Sequence, residues 1–223
     1  AQIVVVDAEG QQVPYQITSD EKVIFPVTVQ ANGSAVYTIK AGIPQECPVK
    51  ACGRYYPERV DDVAWENDLT AFRAYGPALQ ETGERAFGYD IWTKYNTTEP
   101  VVEARYEGEL NPDMKAKIAE LGKTDPKAAQ ELYRSVSYHV DHGNGLDCYK
   151  VGPTLGGGTT ALMAGDTIIY PYCYATQEIL DNGPLRFTVK LVYNPLVVKG
   201  DSTIIETRII TLDAGSYCNK TVV

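Results

Sequence analysis

The sequence predicts a mainly β, antiparallel protein with one small helical insertion at about residues 111–136, and three observations lead there. Short runs of β-branched and aromatic residues recur towards both ends of the chain, most of them closed by turn-forming residues. Only one segment combines helix start and stop signals with apolar residues at helical spacing. No internal repeat or low-complexity tract points to another architecture.

The first strands lie before residue 40. Ile3 to Asp7 is followed by Glu9-Gly10, Val13 to Thr18 by Ser19-Asp20, Val23 to Val29 by Asn32-Gly33, and Val36 to Ile39 completes the set. Spacing this even reads as a sheet of hairpins, with Pro26 marking an edge or a bulge. Residues 41–62 hold three prolines and two cysteines and read as a long ordered loop. The segment VAWENDLTAFRAYGPAL from Val63 reads as a strand, although a helix from Trp65 to Tyr75 fits the spacing nearly as well. Gly88 to Tyr95 and Val101 to Tyr106 read as two further strands.

Asn111-Pro112 supplies a cap and a proline at the first helical position, and Met114, Ile118 and Leu121 follow at helical spacing up to Gly122. Asp125-Pro126 repeats the start signal, with Ala129, Leu132, Tyr133 and Val136 along one face. Beyond residue 160, strands are expected at Thr167 to Thr176, Leu185 to Tyr193, Thr203 to Leu212 and Tyr217 to Val223, with Glu206 and Arg208 paired on one face.

Composition narrows the function classes. The chain has 223 residues, 44% hydrophobic and 22% charged, enough for a sizeable core in a single domain over 1–223. It opens inside the strand-like run Ile3 to Val6 and closes at Val222-Val223, so the expectation is a fragment of a longer protein. A net charge of -9 without a lysine- or arginine-rich run argues against nucleic acid as a partner. No stretch is long and apolar enough to span a bilayer, and no signal peptide is visible. Of the five cysteines, Cys47 and Cys52 are near enough in sequence to bridge, but none has the spacing of a zinc site. Sixteen tyrosines against four phenylalanines suit strands, and suit a sugar-facing surface as well.

The stretch YHVDHGNGLDCYKVGPTLGGG, Tyr138 to Gly158, gathers both histidines, His139 and His142, with Asp141 and Asp147. Clustered titratable groups in a glycine-broken loop point to a site. In the favoured reading one histidine carries a proton and Asp141 or Asp147 orients it. In a second, His139, Asp141 and His142 hold a divalent metal, with Asp147 near enough to join; otherwise no cofactor is indicated. A third leaves both rings bonded to backbone carbonyls. Upstream, RVDDVAWENDLTAFR places Trp65, Glu66 and Asp68 between Arg59 and Arg73, a combination that serves saccharide binding or simply a charged turn before a strand. Gly152 to Thr160 lacks the Lys-Ser/Thr pair of a phosphate loop, and no serine-hydrolase elbow or His-Glu-x-x-His helix occurs.

Three blocks, ERVDDVAWENDLTAFRAYGPAL (58–79), AFGYDIWTKY (86–95) and YHVDHGNGLDCYKVGPTLGGG (138–158), resemble the signatures of a bacterial domain-of-unknown-function family, number 4861. Its members occur mainly in Bacteroidota, often in polysaccharide-utilisation gene clusters. The resemblance implies a β-sandwich of the galactose mutarotase-like kind, periplasmic or extracellular, that binds oligosaccharide or polysaccharide. On it, the candidate catalytic residues are His139, His142, Asp141, Asp147 and Tyr138. Arg59, Trp65, Glu66, Asp68, Arg73, Tyr75, Trp92, Tyr149 and Lys150 form the candidate substrate-binding set. The implied activity is acid–base chemistry of lyase, hydrolase or epimerase type on a uronic-acid-containing glycan, the alternative being a non-catalytic carbohydrate-binding module.

Overall fold

The computed structural model describes residues 2–223. Its strands are β1 (Ile3–Val6), β2 (Gln12–Val13), β3 (Gln16–Ile17), β4 (Val23–Ile24), β5 (Thr38–Ala41), β6 (Ala51–Tyr56), β7 (Asp62–Asn67), β8 (Thr70–Ala74), β9 (Tyr89–Thr93), β10 (Leu162–Ala164), β11 (Thr167–Ile169), β12 (Tyr174–Asn182), β13 (Arg186–Tyr193), β14 (Leu196–Val198), β15 (Asp201–Ile204), β16 (Thr207–Asp213) and β17 (Lys220–Val222). Four short helices accompany them: α1 (Pro77–Glu81), α2 (Val102–Leu110), α3 (Pro112–Thr124) and α4 (Pro126–Val136).

Two four-stranded antiparallel sheets, β6-β7-β8-β9 and β12-β13-β16-β17, pack across a shared core. Strand pleating decides what enters it. Val63, Trp65, Phe72 and Tyr89 point from the first sheet towards Phe187, Val189, Leu191, Ile210 and Leu212 of the second. Trp65 stacks between Phe72 and Phe187, at centroid distances of 5.8 and 6.2 Å, and its indole N–H donates to Asn219 Oδ1 at 2.9 Å. The opposite face of the first sheet is covered too: Ala64, Ala71 and Trp92 pack with Tyr106 of α2 and with Tyr138. A sheet buried on both faces explains why every residue of β7 and β8 is inaccessible.

The structure is mainly β and antiparallel as expected, and differs in several elements. Trp65 to Tyr75 is neither one strand nor a helix but the hairpin β7–β8, turned by Asn67, whose Oδ1 accepts from the N–H of Leu69 and Thr70. The expected loop 41–62 contains β6, held by pairing with β7. Val101 to Tyr106, expected as a strand, begins helix α2. The buried Glu66 carboxylate accepts from Val101 N–H and Val102 N–H, each at 2.9 Å, and so caps a helix start from across the fold. The helical insertion thus runs from 102 to 136, and its last two helices have the expected Asn111 and Asp125 caps. Thr167 to Thr176 divides between the β10–β11 hairpin and β12, Thr203 to Leu212 between β15 and β16, and only Lys220–Val222 of the last expected strand is regular. All five cysteines are free, so Cys47 and Cys52 do not bridge.

Candidate active site

Strand β9 is the outer strand of its sheet, and the histidine loop lies along its free edge. Thr93 N–H donates to Leu146 O at 2.9 Å, and Trp92 pairs with Asp147 as an isolated antiparallel bridge. Gly145 allows this approach: it has φ +97°, and a Cβ there would lie 2.0 Å from Thr93 O. Asp147 is thereby carried to the face of the sheet that also bears Asp62 of β7, Arg73 of β8 and Asp90 of β9.

Arg73 is the centre of what these strands gather. Its Nε donates to Asp90 Oδ2 at 2.6 Å, its Nη2 to the same oxygen and to Asp147 Oδ2 at 3.0 Å, and its Nη1 to the Tyr138 hydroxyl at 3.2 Å. Asp62 Oδ2 stands 3.7 Å from Nη1, and Tyr75 OH donates to Asp90 Oδ2 at 2.6 Å. Three carboxylates thus crowd one buried guanidinium, and each keeps one buried oxygen, Asp62 Oδ1, Asp90 Oδ1 and Asp147 Oδ1, without a protein partner among the described residues. Burial pushes the Asp62 carboxyl up to about 7 against the pull of Arg73 and Arg59. Asp147 rises to about 6, from burial and then the charge of Asp90, with Arg73 and His139 opposing.

The cluster opens into a cleft of about 450 Å³ lined by Arg59, Arg73, Tyr75, Glu84, His139, Asp147, Cys148, Tyr149 and Lys150. His139 stands at its mouth with 47% of its side chain exposed, while Asp147 behind it has 1%. His139 Nδ1 is 3.4 Å from both Asp147 Oδ2 and Asp147 O, and among the described residues Nε2 has no protein partner. The Nδ1 hydrogen bond is to the Asp147 backbone carbonyl, as the backbone-bonded reading of both rings expects, with the Asp147 carboxylate at the same distance; His139 lines the cleft. Arg59 is placed by its Nε–H donating to Tyr138 OH at 3.2 Å, and Lys150 has no carboxylate partner among the described residues. Besides Asp147, the cleft is lined by one other acidic side chain, Glu84.

Of the sequence candidates, His139, Asp147, Arg59, Arg73, Tyr75, Tyr149 and Lys150 converge here. Tyr138 sits just beneath, 2% exposed, stacked on Trp92 at 4.9 Å and accepting from both arginines, so it positions the site without lining it. His142 does not join: its Nε2 lies 3.0 Å from Ser137 O. Asp141 closes its own turn through Gly143 N–H and Gly145 N–H and accepts from Tyr95 OH. The expected metal set of His139, Asp141 and His142 is therefore not assembled, and no group of three His, Cys, Asp or Glu among the described residues is arranged to hold a metal ion.

Trp65 and Trp92, two of the candidate substrate-binding residues, cannot meet a ligand, because pleating turns the two rings to opposite faces of the sheet and both are covered, at 0% and 1% exposed. Glu66 is a helix cap paired with Lys94 at 2.8 Å, and Asp68 accepts from Gly215 N–H in a distant turn. Asp62, Asp90, Glu84 and Cys148 were not singled out from the sequence. Asp90 carried a readable signal, being a lone carboxylate in the aromatic strand YDIWT whose burial demands a cation.

Compared with known proteins, the chain matches the family described as Domain of unknown function (DUF4861) over residues 1–223. The chain belongs to the DUF4861 family. A relative from Formosa agariphila, named Uncharacterized protein P7, is 29% identical over 189 residues, covering 82% of this DUF4861 chain and 42% of the relative. The chain thus corresponds to less than half the length of that curated relative. No solved structure matches it.

Proposed function

We propose that the cleft is the acid–base site of an enzyme acting on a uronic-acid-containing glycan of plant or algal origin. The observation that carries this reading is that His139, with Nδ1 3.4 Å from the buried Asp147 carboxylate and no protein partner for Nε2 among the described residues, lines one cleft with Arg59 and Lys150. A uronate carboxylate bound by these two cations loses charge, which acidifies the neighbouring C–H. His139 Nε2 takes that proton, provided it comes within about 3 Å, and the resulting imidazolium is stabilised by Asp147. β-Elimination and epimerisation share this first step, and the lyase or epimerase type is preferred on that ground. Arg73 acts indirectly: saturated by Asp90 and Asp147, it holds the orienting carboxylate in place.

The second reading is a non-catalytic binding module, in which rings other than the buried Trp65 and Trp92 would have to stack on sugar. A polysaccharide substrate cannot cross a membrane intact, so the setting proposed is periplasmic or extracellular. Among the described residues no helix is long and apolar enough to cross a membrane. The test is to incubate the full-length protein with polygalacturonate, alginate and glucuronate-bearing xylan, following ultraviolet absorbance of unsaturated products, reducing ends and epimer composition. Turnover that disappears in His139→Ala is expected. Binding without turnover on every substrate would favour the module, and turnover unchanged by His139→Ala would overturn the assignment.

A further inference from the structure

Close in sequence to the cleft-lining Glu84 is a group of aromatic rings that the core does not use, the half-buried Phe87 and the exposed Tyr170 and Tyr172. Tyr170 is 38% and Tyr172 50% exposed, held apart by the buried Pro171, whose ring fixes the local backbone. Phe87 packs between them, 5.1 Å from Tyr170 and 5.9 Å from Tyr172, and Arg85 lies 5.5 Å over the Tyr172 ring. Arg85 has no carboxylate partner among the described residues. The patch adjoins the cleft along the chain: Glu84 lines the cleft, Arg85 is the next residue, and Phe87 follows within about 10 Å of extended backbone.

Flat apolar rings stack on the C–H face of a pyranose, and a free guanidinium beside them binds a carboxylate. We propose that Arg85, Phe87, Tyr170 and Tyr172 form a second saccharide subsite, taking an acidic sugar unit of the chain whose reacting unit occupies the cleft. This rests on the glycan reading of the cleft and supplies the stacking surface that Trp65 and Trp92 cannot. Pro171 keeps the rings in place before binding, which lowers the ordering cost of a weak, extended ligand.

The test is calorimetric titration of full-length protein, in a His139→Ala background that prevents turnover, with polygalacturonate, alginate and glucuronate-bearing xylan. Tyr172→Ala and Tyr170→Ala should each weaken the tightest of these by about tenfold. Arg85→Gln should weaken it and flatten its salt dependence, whereas Tyr217→Ala, at an exposed tyrosine elsewhere, should leave it unchanged. Affinity kept by both tyrosine variants would overturn the subsite and leave the cleft assignment standing. No binding of any of the three glycans by the parent would overturn both. A lowered melting temperature in Tyr172→Ala with affinity unchanged would show the rings covered by polypeptide of a longer chain, which also overturns the subsite.

Discussion

Strand β9 serves two buried arginines with consecutive residues. Tyr89 points into the sandwich core and its hydroxyl accepts from Arg208 Nη1 at 3.0 Å, whereas Asp90 points the other way and binds Arg73. Around Arg208 everything is matched: Glu206 takes Nε–H, the hydroxyls of Tyr89 and Tyr193 take Nη1, Thr160 O takes Nη2 at 2.9 Å, and the Tyr193 ring lies 4.2 Å beneath. One carboxylate meets one guanidinium, and neither side chain leaves a buried atom unpartnered. Around Arg73 there are three carboxylates, three unpartnered oxygens and an opening to solvent. A matched pair holds a fold together, whereas an unmatched cluster leaves proton affinity to spare, and that is what acid–base chemistry draws on.

Removing each arginine in turn tests this contrast most severely. Arg73→Met and Arg208→Met should each cost about 3–5 kcal/mol of stability in urea unfolding, because each strands buried carboxylate charge. Only Arg73→Met should also abolish turnover per folded molecule. Asp147→Asn comes next, with kcat lowered roughly a hundredfold or more through loss of the group that orients His139, while stability changes less. In the parent protein, turnover should rise as pH increases through about 6, where Asp147 ionises, and this limb should vanish from the residual activity of Asp147→Asn.

A third effect concerns stability and pH. Asp62 binds its proton more tightly in the folded state, at about 7 against an ordinary 3.8. Its contribution is fully present below about pH 4 and is lost as pH rises towards 7, since the folded state holds the extra proton only in that window. Asp62→Asn should flatten the stability–pH curve there, and an unchanged slope would remove Asp62 from the proton-holding cluster. The smallest effect is expected at the exposed turn: Tyr95→Phe, which loses only the hydrogen bond to Asp141, should leave the urea-unfolding midpoint and turnover unchanged.

How far the sequence revealed these regions depended on the range of the interactions. Caps and prolines at 111–112 and 125–126 act within one turn, and the two helices they start appear where expected. Helix α2 was hidden because its N-terminus is capped by Glu66, thirty-five residues upstream. The gathering of His139, Asp147, Arg59 and Arg73 was foreshadowed by residue type, and the two further carboxylates were not: Asp62 falls in the expected loop and Asp90 is an ordinary strand acid until the pleat turns both towards Arg73. Pleat parity also separates the tryptophans. Phe72 pairs with Trp65 and Ile91 on one face, Ala71 with Glu66 and Trp92 on the other, a distinction available only once the hairpin register is known.

The central claim is that one imidazole of the two carries the chemistry. It is tested most directly by measuring kcat/KM of His139→Ala and His142→Ala side by side, in full-length protein, on whichever uronate glycan the parent turns over. Loss of activity in His139→Ala with near-parental activity in His142→Ala is the expected result. Activity retained in His139→Ala, or lost only in His142→Ala, would contradict it.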